Sequence, residues 1–127
     1  MNRNVVSTDD AARPGGPYSQ GIRAGDFVFV SSCDGREPKT GQRPAGAEAQ
    51  TRQTLSNIRA IVNEAGTSLE NVVKVTVFLG SWNDFEPMNR VYGEFFPKDQ
   101  PARTTVQTAL RADALVAMDV IALLPGK

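Results

Sequence analysis

The chain contains no histidine and only one cysteine, Cys33, among its 127 residues. Without histidine it cannot build a Ser-His-Asp or Cys-His nucleophile, and it lacks the side chain that most often transfers protons near neutral pH. A lone cysteine cannot form an intramolecular disulfide, nor can it supply the usual ligands of a zinc site. We therefore expect a metal-free protein of a reducing compartment, whose chemistry relies on carboxylates, tyrosine, backbone groups or bound water.

The sequence also has no excess of either charge and no long apolar run. The 14 basic residues balance the 14 acidic ones, so the chain carries no electrostatic footprint for nucleic acid or for an anionic membrane. No stretch approaches the roughly 18 consecutive apolar residues of a membrane span, and residues 1–6 lack the apolar region of a signal peptide. The sequence predicts a soluble, cytoplasmic protein with one domain over residues 1–127 and with small molecules or proteins as partners.

A loop rich in glycine and proline, over residues 9–16, precedes the first element that the sequence predicts. Apolar runs at Tyr18–Arg23 and Phe27–Ser32 flank a turn at residues 24–26, and this spacing predicts two antiparallel strands. Glycines and prolines oppose regular structure in the polar segment that follows, so residues 34–46 are predicted to form a long loop.

The middle of the chain predicts one helix and one strand. Apolar residues spaced three and four apart predict a helix over Ala47–Ala65, ended by a left-handed Gly66. β-Branched residues predict a central strand over Val72–Leu79. One face of this strand is expected to carry Val73, Val75, Val77 and Leu79, and the other Val72, Lys74, Thr76 and Phe78. Because both faces include large apolar side chains, self-association is expected to cover the face that the helices leave open.

A second amphipathic helix and two strands complete the predicted order. N-cap oxygens at residues 81–84 precede an apolar stripe from Phe85 to Phe96, in which Pro87 fits only within the first turn. Strands are predicted at Arg103–Thr108 and Leu115–Leu124, joined by a loop at residues 110–113. The order β-β-α-β-α-β-β predicts an α+β fold, a mixed sheet with two helices packed on one face.

Arg103 stands at the start of a β-branched strand, directly after Pro101 and Ala102. A guanidinium matches a carboxylate in two parallel, charge-assisted hydrogen bonds, so an arginine in this position can hold a small organic acid in one orientation. The alternative is a surface ion pair, which is the commoner role of an arginine at a strand start.

Five segments, in order along nearly the whole chain, resemble the RidA family, also called YjgF/YER057c/UK114 or endoribonuclease L-PSP. They are Gly16–Gly21, Phe27–Ser31, Pro38–Gly41, Val73–Phe78 and Pro101–Arg103. The resemblance implies a chorismate-mutase-like fold and a homotrimer whose sheets form a central barrel, with ligand clefts between subunits. It also implies hydrolysis of reactive enamines and imines to a 2-oxo acid and ammonia, without a cofactor.

The resemblance implies roles for single residues as well. Arg103 matches the arginine that binds the substrate carboxylate, Tyr18 matches the cleft tyrosine, and Ser31 matches a strand serine beside the ligand. These roles are chemically coherent, because an imine next to a carboxylate requires an anchor, a hydrogen-bonding group near its nitrogen and an ordered water. Considered without the family, Tyr18 is equally a packing residue and Ser31 a strand serine bonded to the backbone.

The last strand departs from the family pattern. Deaminating members carry there an acidic residue, thought to position the attacking water, where this chain has Ala117. Asp119 lies two residues further on the same face of an ideal strand and is a candidate catalytic replacement. A structural salt bridge or a contact between subunits is the alternative for Asp119.

The segment after Ser31 departs as well, because residues 32–36 read Ser-Cys-Asp-Gly-Arg where family members usually continue with Gly-Gln. Cys33 is then either a substrate-binding thiol or a small, buried apolar side chain. Asp34 and Arg36 either recognise a polar substrate group or pair with each other in solvent. This altered wall indicates a substrate different from simple 2-aminoacrylate.

Three functions compete at this level. The first is a deaminase of small imines or enamines that carry a carboxylate. The second is a trimer that binds small acids or acts as a chaperone, with hydrolysis lost together with the acid at position 117. The third, a ribonuclease, follows only from one family name, and the balanced charge and missing histidine oppose it.

Overall fold

Two helices cover one face of a six-stranded mixed sheet in the computed structural model, which describes residues 2–126. The strands are β1 (Arg3–Val6), β2 (Gly21–Ala24), β3 (Phe27–Asp34), β4 (Val72–Leu79), β5 (Ala102–Gln107) and β6 (Val116–Leu123). The helices are α1 (Ala47–Ala65) and α2 (Phe85–Phe95). Within residues 2–126, neither helix has the length and apolar character that crossing a membrane requires.

The sheet has the strand order β1-β2-β3-β6-β4-β5. Only β4 and β5 run parallel, since α2 returns the chain to the end of the sheet where β4 began; the other four neighbouring pairs are antiparallel. The last strand, β6, lies between β3 and β4. The predicted α+β architecture, with two helices on one face of a mixed sheet, is confirmed.

Local patterns account for the helix positions. Leu55, Ile58 and Val62 are fully buried against the sheet, and α1 has the predicted bounds Ala47–Ala65. It ends at Gly66 with φ 98° and ψ 20°, the left-handed cap that glycine adopts without steric cost. Pro87 lies in the first turn of α2, as predicted, where its missing N–H removes no helical hydrogen bond.

The two faces of the sheet differ in burial. The helix-covered face is closed by buried residues of the central strands: Val28, Val30, Val75, Val77, Leu79, Val116, Met118, Val120 and Ala122. The opposite face, here called the open face, carries the partly exposed side chains of Phe27, Phe29, Val106 and Leu123. Their exposed fractions of 37–45% leave several large apolar groups in contact with water, an arrangement that marks an interaction surface.

Two predictions at the N-terminal end were wrong. β1 has no recognisable sequence signal, because it has only four residues and just one of them, Val6, is buried; its pairing with β2 places it in the sheet. The first hairpin strand begins at Gly21 rather than Tyr18. Tyr18 therefore lies in the loop before β2.

The predicted faces of β4 were wrong at its start. The register between β4 and β6 shifts between Val72 and Lys74, a bulge that rotates the strand by one position. As a result Val72 is buried and Val73 is 42% exposed. The strict alternation that the sequence suggests holds only from Lys74 onward.

Ser81 caps a short 3₁₀ turn at Trp82–Asp84 rather than α2, by accepting a hydrogen bond from the backbone N–H of Asn83.

Candidate functional site

A cavity of about 380 Å³ opens where the bulged end of β3 meets the loop between β5 and β6. We call it the arginine cleft, because three guanidinium groups line it. Its lining includes Tyr18, Ser32, Cys33, Asp34, Arg36, Arg43, Arg111 and Ala117. A second cavity of about 20 Å³, with room for one water molecule, adjoins it and is lined in part by Tyr18, Ser31 and Cys33. The volume of the arginine cleft suits a small ligand.

Tyr18 is held at the entrance of the arginine cleft by its own loop. Its hydroxyl accepts a hydrogen bond from the backbone N–H of Gly15 at 3.1 Å, and the residue is 47% exposed. The buried Gln20 anchors the preceding segment, since its amide donates to the carbonyls of Thr8 and Ala12 at 3.1 and 2.9 Å. The phenol is thus positioned while much of its surface remains available.

Ser31 lies within a bulge in β3, and Cys33 follows that bulge. The hydroxyl of Ser31 donates to the carbonyl of Ser19 at 2.6 Å, a bond that ties β3 to the Tyr18 loop. Cys33 packs against the hydrophobic core. Burial, followed by the nearby Asp34 carboxylate, raises the pKa of the Cys33 thiol to about 12. The thiol is therefore neutral at physiological pH and unsuited to nucleophilic attack.

Asp34 is the centre of an ion-pair network on the wall of the arginine cleft. One carboxylate oxygen, Oδ1, accepts from the backbone N–H and the Nε of Arg36 at 3.1 and 3.3 Å. The other, Oδ2, accepts from Nε and Nη2 of Arg43 at 3.1 and 2.8 Å. Arg43 also donates from Nη1 to Asp113 at 3.0 Å. The sequence left two roles for Asp34 and Arg36, recognition of a substrate group or pairing with each other. In the structure, both belong to a network of paired charges that lines the cavity.

Ala117 and Asp119 lie at different places relative to the arginine cleft. Ala117 lines it and is the register partner of Asp34. Asp119 pairs with Thr76 on β4 instead and does not line the cleft. Burial raises the pKa of Asp119, against the lowering effects of the Thr76 hydroxyl and the Lys74 charge. In the single chain, the candidate replacement acid therefore lies outside the cavity that Tyr18 borders.

Arg103 lies on β5, with its side chain on the helix-covered face beside α2. Its guanidinium carbon is 4.8 Å from the ring centre of Tyr92 and 5.8 Å from that of Phe85, distances typical of cation–π contacts. Burial raises the pKa of the Tyr92 hydroxyl, and the charge of Arg103 and a side-chain hydrogen bond with it offset part of that rise. The stacked rings fix the plane of the guanidinium and leave its edge free to bind a carboxylate.

One polar atom next to Arg103 has no protein partner. The hydroxyl of Thr105 is enclosed and makes no hydrogen bond with other residues in the described range 2–126. Thr105 is two residues from Arg103 on the same strand and so shares its face. Since buried hydroxyls are normally hydrogen-bonded, this atom marks a place for a polar ligand or a neighbouring chain.

The predicted site residues do not meet within one chain. Tyr18, Ser31 and Cys33 lie together at β3, whereas Arg103 lies on β5. The strands β6 and β4 separate them, and three strand spacings amount to about 14 Å. Arg103 cannot reach a ligand in the arginine cleft of its own chain. The contributions of Arg43, Arg111, Tyr92 and Thr105 were missed, because no local pattern marks residues that the fold brings together over long separations.

Comparisons with known proteins agree on one family. The sequence model of the family Endoribonuclease L-PSP matches residues 8–124. A RutC family protein of Pyrococcus abyssi is 45% identical over 96% of this chain and 98% of its own length. The chloroplastic Reactive Intermediate Deaminase A of Arabidopsis thaliana is 39% identical over 98% of this chain and 67% of its own length. The crystal structure of E. coli TdcF with bound serine is similar with a TM-score of 0.90 and 39% identity, over 94% of this chain and 98% of that one.

Proposed function

The chain belongs to the RidA family, also called YjgF/YER057c/UK114 or endoribonuclease L-PSP, and on that basis we propose that it hydrolyses small imines and enamines that carry a carboxylate. An enamine first tautomerises to the imine, as a proton moves from nitrogen to carbon. Water then adds to the C=N carbon, the C–N bond breaks, and the products are a 2-oxo acid and ammonia. The oxygen of the new carbonyl comes from the water, and both protons of that water leave on the nitrogen. The reaction requires no redox partner.

The main observation behind this proposal is the set of contacts that the Arg103 guanidinium makes. Its guanidinium is stacked on Tyr92 and Phe85 and has no carboxylate partner among residues 2–126. No carboxylate of residues 2–126 occupies the planar fork of donors, and a substrate carboxylate fits that fork in two parallel hydrogen bonds. The relatives support a ligand of this kind, since one is named Reactive Intermediate Deaminase A and the TdcF crystal structure contains serine, an amino acid with a carboxylate.

A homotrimer is part of the proposal. Exposed phenylalanines on the open face, Phe27 and Phe29, favour burial against another copy of the chain. Within one chain, Ser31 on β3 and Arg103 on β5 lie on strands about 14 Å apart, so one ligand can contact both only if they come from different copies. In the trimer we expect Arg103 of one subunit to face Tyr18 and Ser31 of its neighbour, with the three sheets forming a central barrel.

Binding without hydrolysis is the second candidate function, and one observation favours it. Among residues 2–126, the only carboxylate in the lining of the arginine cleft is Asp34, and both of its oxygens already accept two hydrogen bonds. Since a carboxylate offers about four lone-pair sites, Asp34 has little capacity left to orient water. A binding module needs Arg103 but no group that orients water. A deaminase instead requires Asp119, a backbone group or the substrate itself to hold the attacking water.

The experiment uses an amino-acid oxidase to generate 2-imino acids and measures ammonia and 2-oxo acid in the presence of the purified protein. Arg103→Ala should slow the reaction at least about a hundredfold, because two charge-assisted hydrogen bonds are lost. Arg59→Ala is the matched control: its guanidinium stacks on Phe95 at 5.1 Å but lies on the exposed side of α1. Asp119→Asn tests the replacement acid.

Each outcome separates the candidate functions. Acceleration that is lost in Arg103→Ala and kept in Arg59→Ala supports the deaminase, and a further loss in Asp119→Asn would assign the water to that carboxylate. No acceleration with any imino acid, together with 2-oxo acid binding that depends on Arg103, would establish the binding module instead. Native 2-oxo acid affinity in Arg103→Ala would remove that arginine from the site.

A further inference from the structure

The arginine cleft has more positive than negative charge. Arg36, Arg43 and Arg111 line it, and the only acidic residue among the lining is Asp34. At the rim, Asp113 pairs with Arg43 at 3.0 Å. Three guanidinium groups thus face two carboxylates, which leaves one uncompensated positive charge. A concave site of one sign concentrates ligands of the opposite sign.

The unpaired donors belong to Arg36 and Arg111. Arg43 is fully engaged, since all three of its guanidinium nitrogens donate to Asp34 or Asp113. Arg36 uses Nε on Asp34 and Nη2 on the carbonyl of Arg13 at 3.1 Å, whereas its Nη1 has no partner among residues 2–126. That atom faces Gly15, because a Cβ added to Gly15 would lie 3.7 Å from it. Arg111 is exposed, and its side chain makes no hydrogen bond or ion pair within the same range.

Buried polar side chains of α1 hold both arginine-bearing walls in place. Asn57, which is 1% exposed, donates to the carbonyls of Asp34 and Arg36 at 3.1 and 2.9 Å. Gln50, which is 2% exposed, donates to the carbonyl of Asp113 at 3.0 Å and accepts from the N–H of Leu115 at 2.8 Å. Burying two amides is favourable only when they are fully hydrogen-bonded, so the walls are rigidly positioned.

The close approach of these walls to α1 depends on small residues and on local strain. A Cβ at Gly35 would lie 3.0 Å from backbone atoms of Gln50, so only glycine allows the segment between Asp34 and Arg36 to pack there. Next to Arg111, Ala112 has φ 49°, a left-handed conformation that costs a non-glycine residue of order 1 kcal/mol. Such strain persists only where the surrounding contacts determine the loop, and it supports a built site.

We propose that the arginine cleft binds a second anionic group of the substrate, so that the preferred substrates are dicarboxylic 2-imino acids. This inference rests on the proposed function, in which Arg103 of a neighbouring subunit binds the first carboxylate. Arg36 and Arg111 bind the distal carboxylate through their free donors, while Asp34 and Arg43 fix the position of Arg36. Ala117 leaves the space that the distal carboxylate needs and removes the acid that would repel it.

The test compares two ligands that differ only at the far end. 2-Oxoglutarate and 2-oxovalerate have the same five-carbon chain, and the first has a carboxylate where the second has a methyl group. Calorimetry on the intact protein should give 2-oxoglutarate an affinity about tenfold higher or more. Arg111→Gln and Arg36→Gln should each remove most of this preference. Arg90→Gln, at an exposed ion pair with Glu48, is the control and should change neither affinity.

The failure of this inference can be told apart from the failure of the proposed function. If Arg103→Ala weakens both ligands while Arg36→Gln and Arg111→Gln leave the tenfold preference intact, the proposed function stands and the anion site is refuted. Equal affinities for the two acids in the unmodified protein would refute it as well. If neither acid binds, both the proposed function and the inference are wrong. Arg111→Gln removes an exposed side chain without hydrogen bonds, so a folding defect will not obscure the result.

Discussion

Replacing Gln50 by leucine should destabilise the protein strongly although the two side chains have similar volumes. The Gln50 amide lies within α1 and makes three hydrogen bonds to loop backbone: it donates to the carbonyls of Pro44 and Asp113, both at 3.0 Å, and accepts from the N–H of Leu115 at 2.8 Å. Leucine satisfies none of them. The substitution therefore leaves three backbone groups without their partner, at the point where two loops meet the helix.

The size of the effect follows from those three groups. A buried polar group that loses its partner costs about 1–3 kcal/mol, and the lower value applies here because the neighbouring Asp113 side chain is 73% exposed and water can reach part of the loop. Three groups at about 1 kcal/mol each predict a loss of roughly 3 kcal/mol. For a chain of this length, that corresponds to a fall in Tm of about 10 °C.

The measurement is urea and thermal unfolding of Gln50→Leu beside the unmodified protein, at one protomer concentration because association also stabilises the folded state. Gln42→Leu is the control: Gln42 is exposed, its side chain makes no hydrogen bond within residues 2–126, and its replacement should change stability by less than about 0.5 kcal/mol. A Gln50→Leu variant as stable as Gln42→Leu would show that the loops are not held by this amide and would undermine the rigid cleft.

Three further perturbations test other parts of the structure. With a pKa of about 12, the thiol of Cys33 should react with iodoacetamide at pH 8 at least about a hundredfold more slowly in the folded protein than in urea; equal rates would contradict the raised pKa. Phe29→Asp should lower the native mass measured by light scattering from that of a trimer of 13.7 kDa chains, whereas Asn63→Asp on the exposed side of α1 should not; an unchanged mass would remove the open face from the interface. Because burial raises the pKa of Asp119, the folded state binds this proton more tightly than the unfolded state, and stability falls as pH rises through the folded pKa. Asp119→Asn should accordingly raise Tm at pH 8 and lose that advantage as pH falls toward 4, and a pH-independent difference would argue against this account.

The elements with local signals could be predicted from the sequence. The bounds of α1 and β4 agree with the prediction, because an amphipathic period over 19 residues and a run of β-branched residues each identify an element without reference to the rest of the chain. The signal failed for β1, whose four residues include one buried side chain and whose stability comes from pairing with β2. The bulge in β4 also left no local trace, since it is set by the register with β6.

The candidate site likewise contains some residues with a local sequence signal and others without one. The segments that carry Tyr18 and Arg103 could be recognised from short motifs, whereas the arginine cleft could not. Arg43 meets Asp113 across 70 positions of sequence, and neither residue belongs to a periodic pattern. Gln50 likewise looks from the sequence like a polar surface residue of α1, yet it is 2% exposed. The fold alone brings these groups together, through contacts between loops that no window of sequence contains.

The absence of an acid at position 117 and the presence of Asp34 on the altered wall are structurally linked. The two residues are register partners on neighbouring strands, and like charges directly opposite each other destabilise a sheet. A carboxylate at position 117 would face that of Asp34, and the two would compete for Arg36 and Arg43. Once Asp34 recruits these guanidinium groups, a small neutral residue is the stable choice opposite it. Where deaminating family members have a free carboxylate, the arginine cleft of this chain has free guanidinium donors. A ligand with a second carboxylate therefore restores the charge balance of the site.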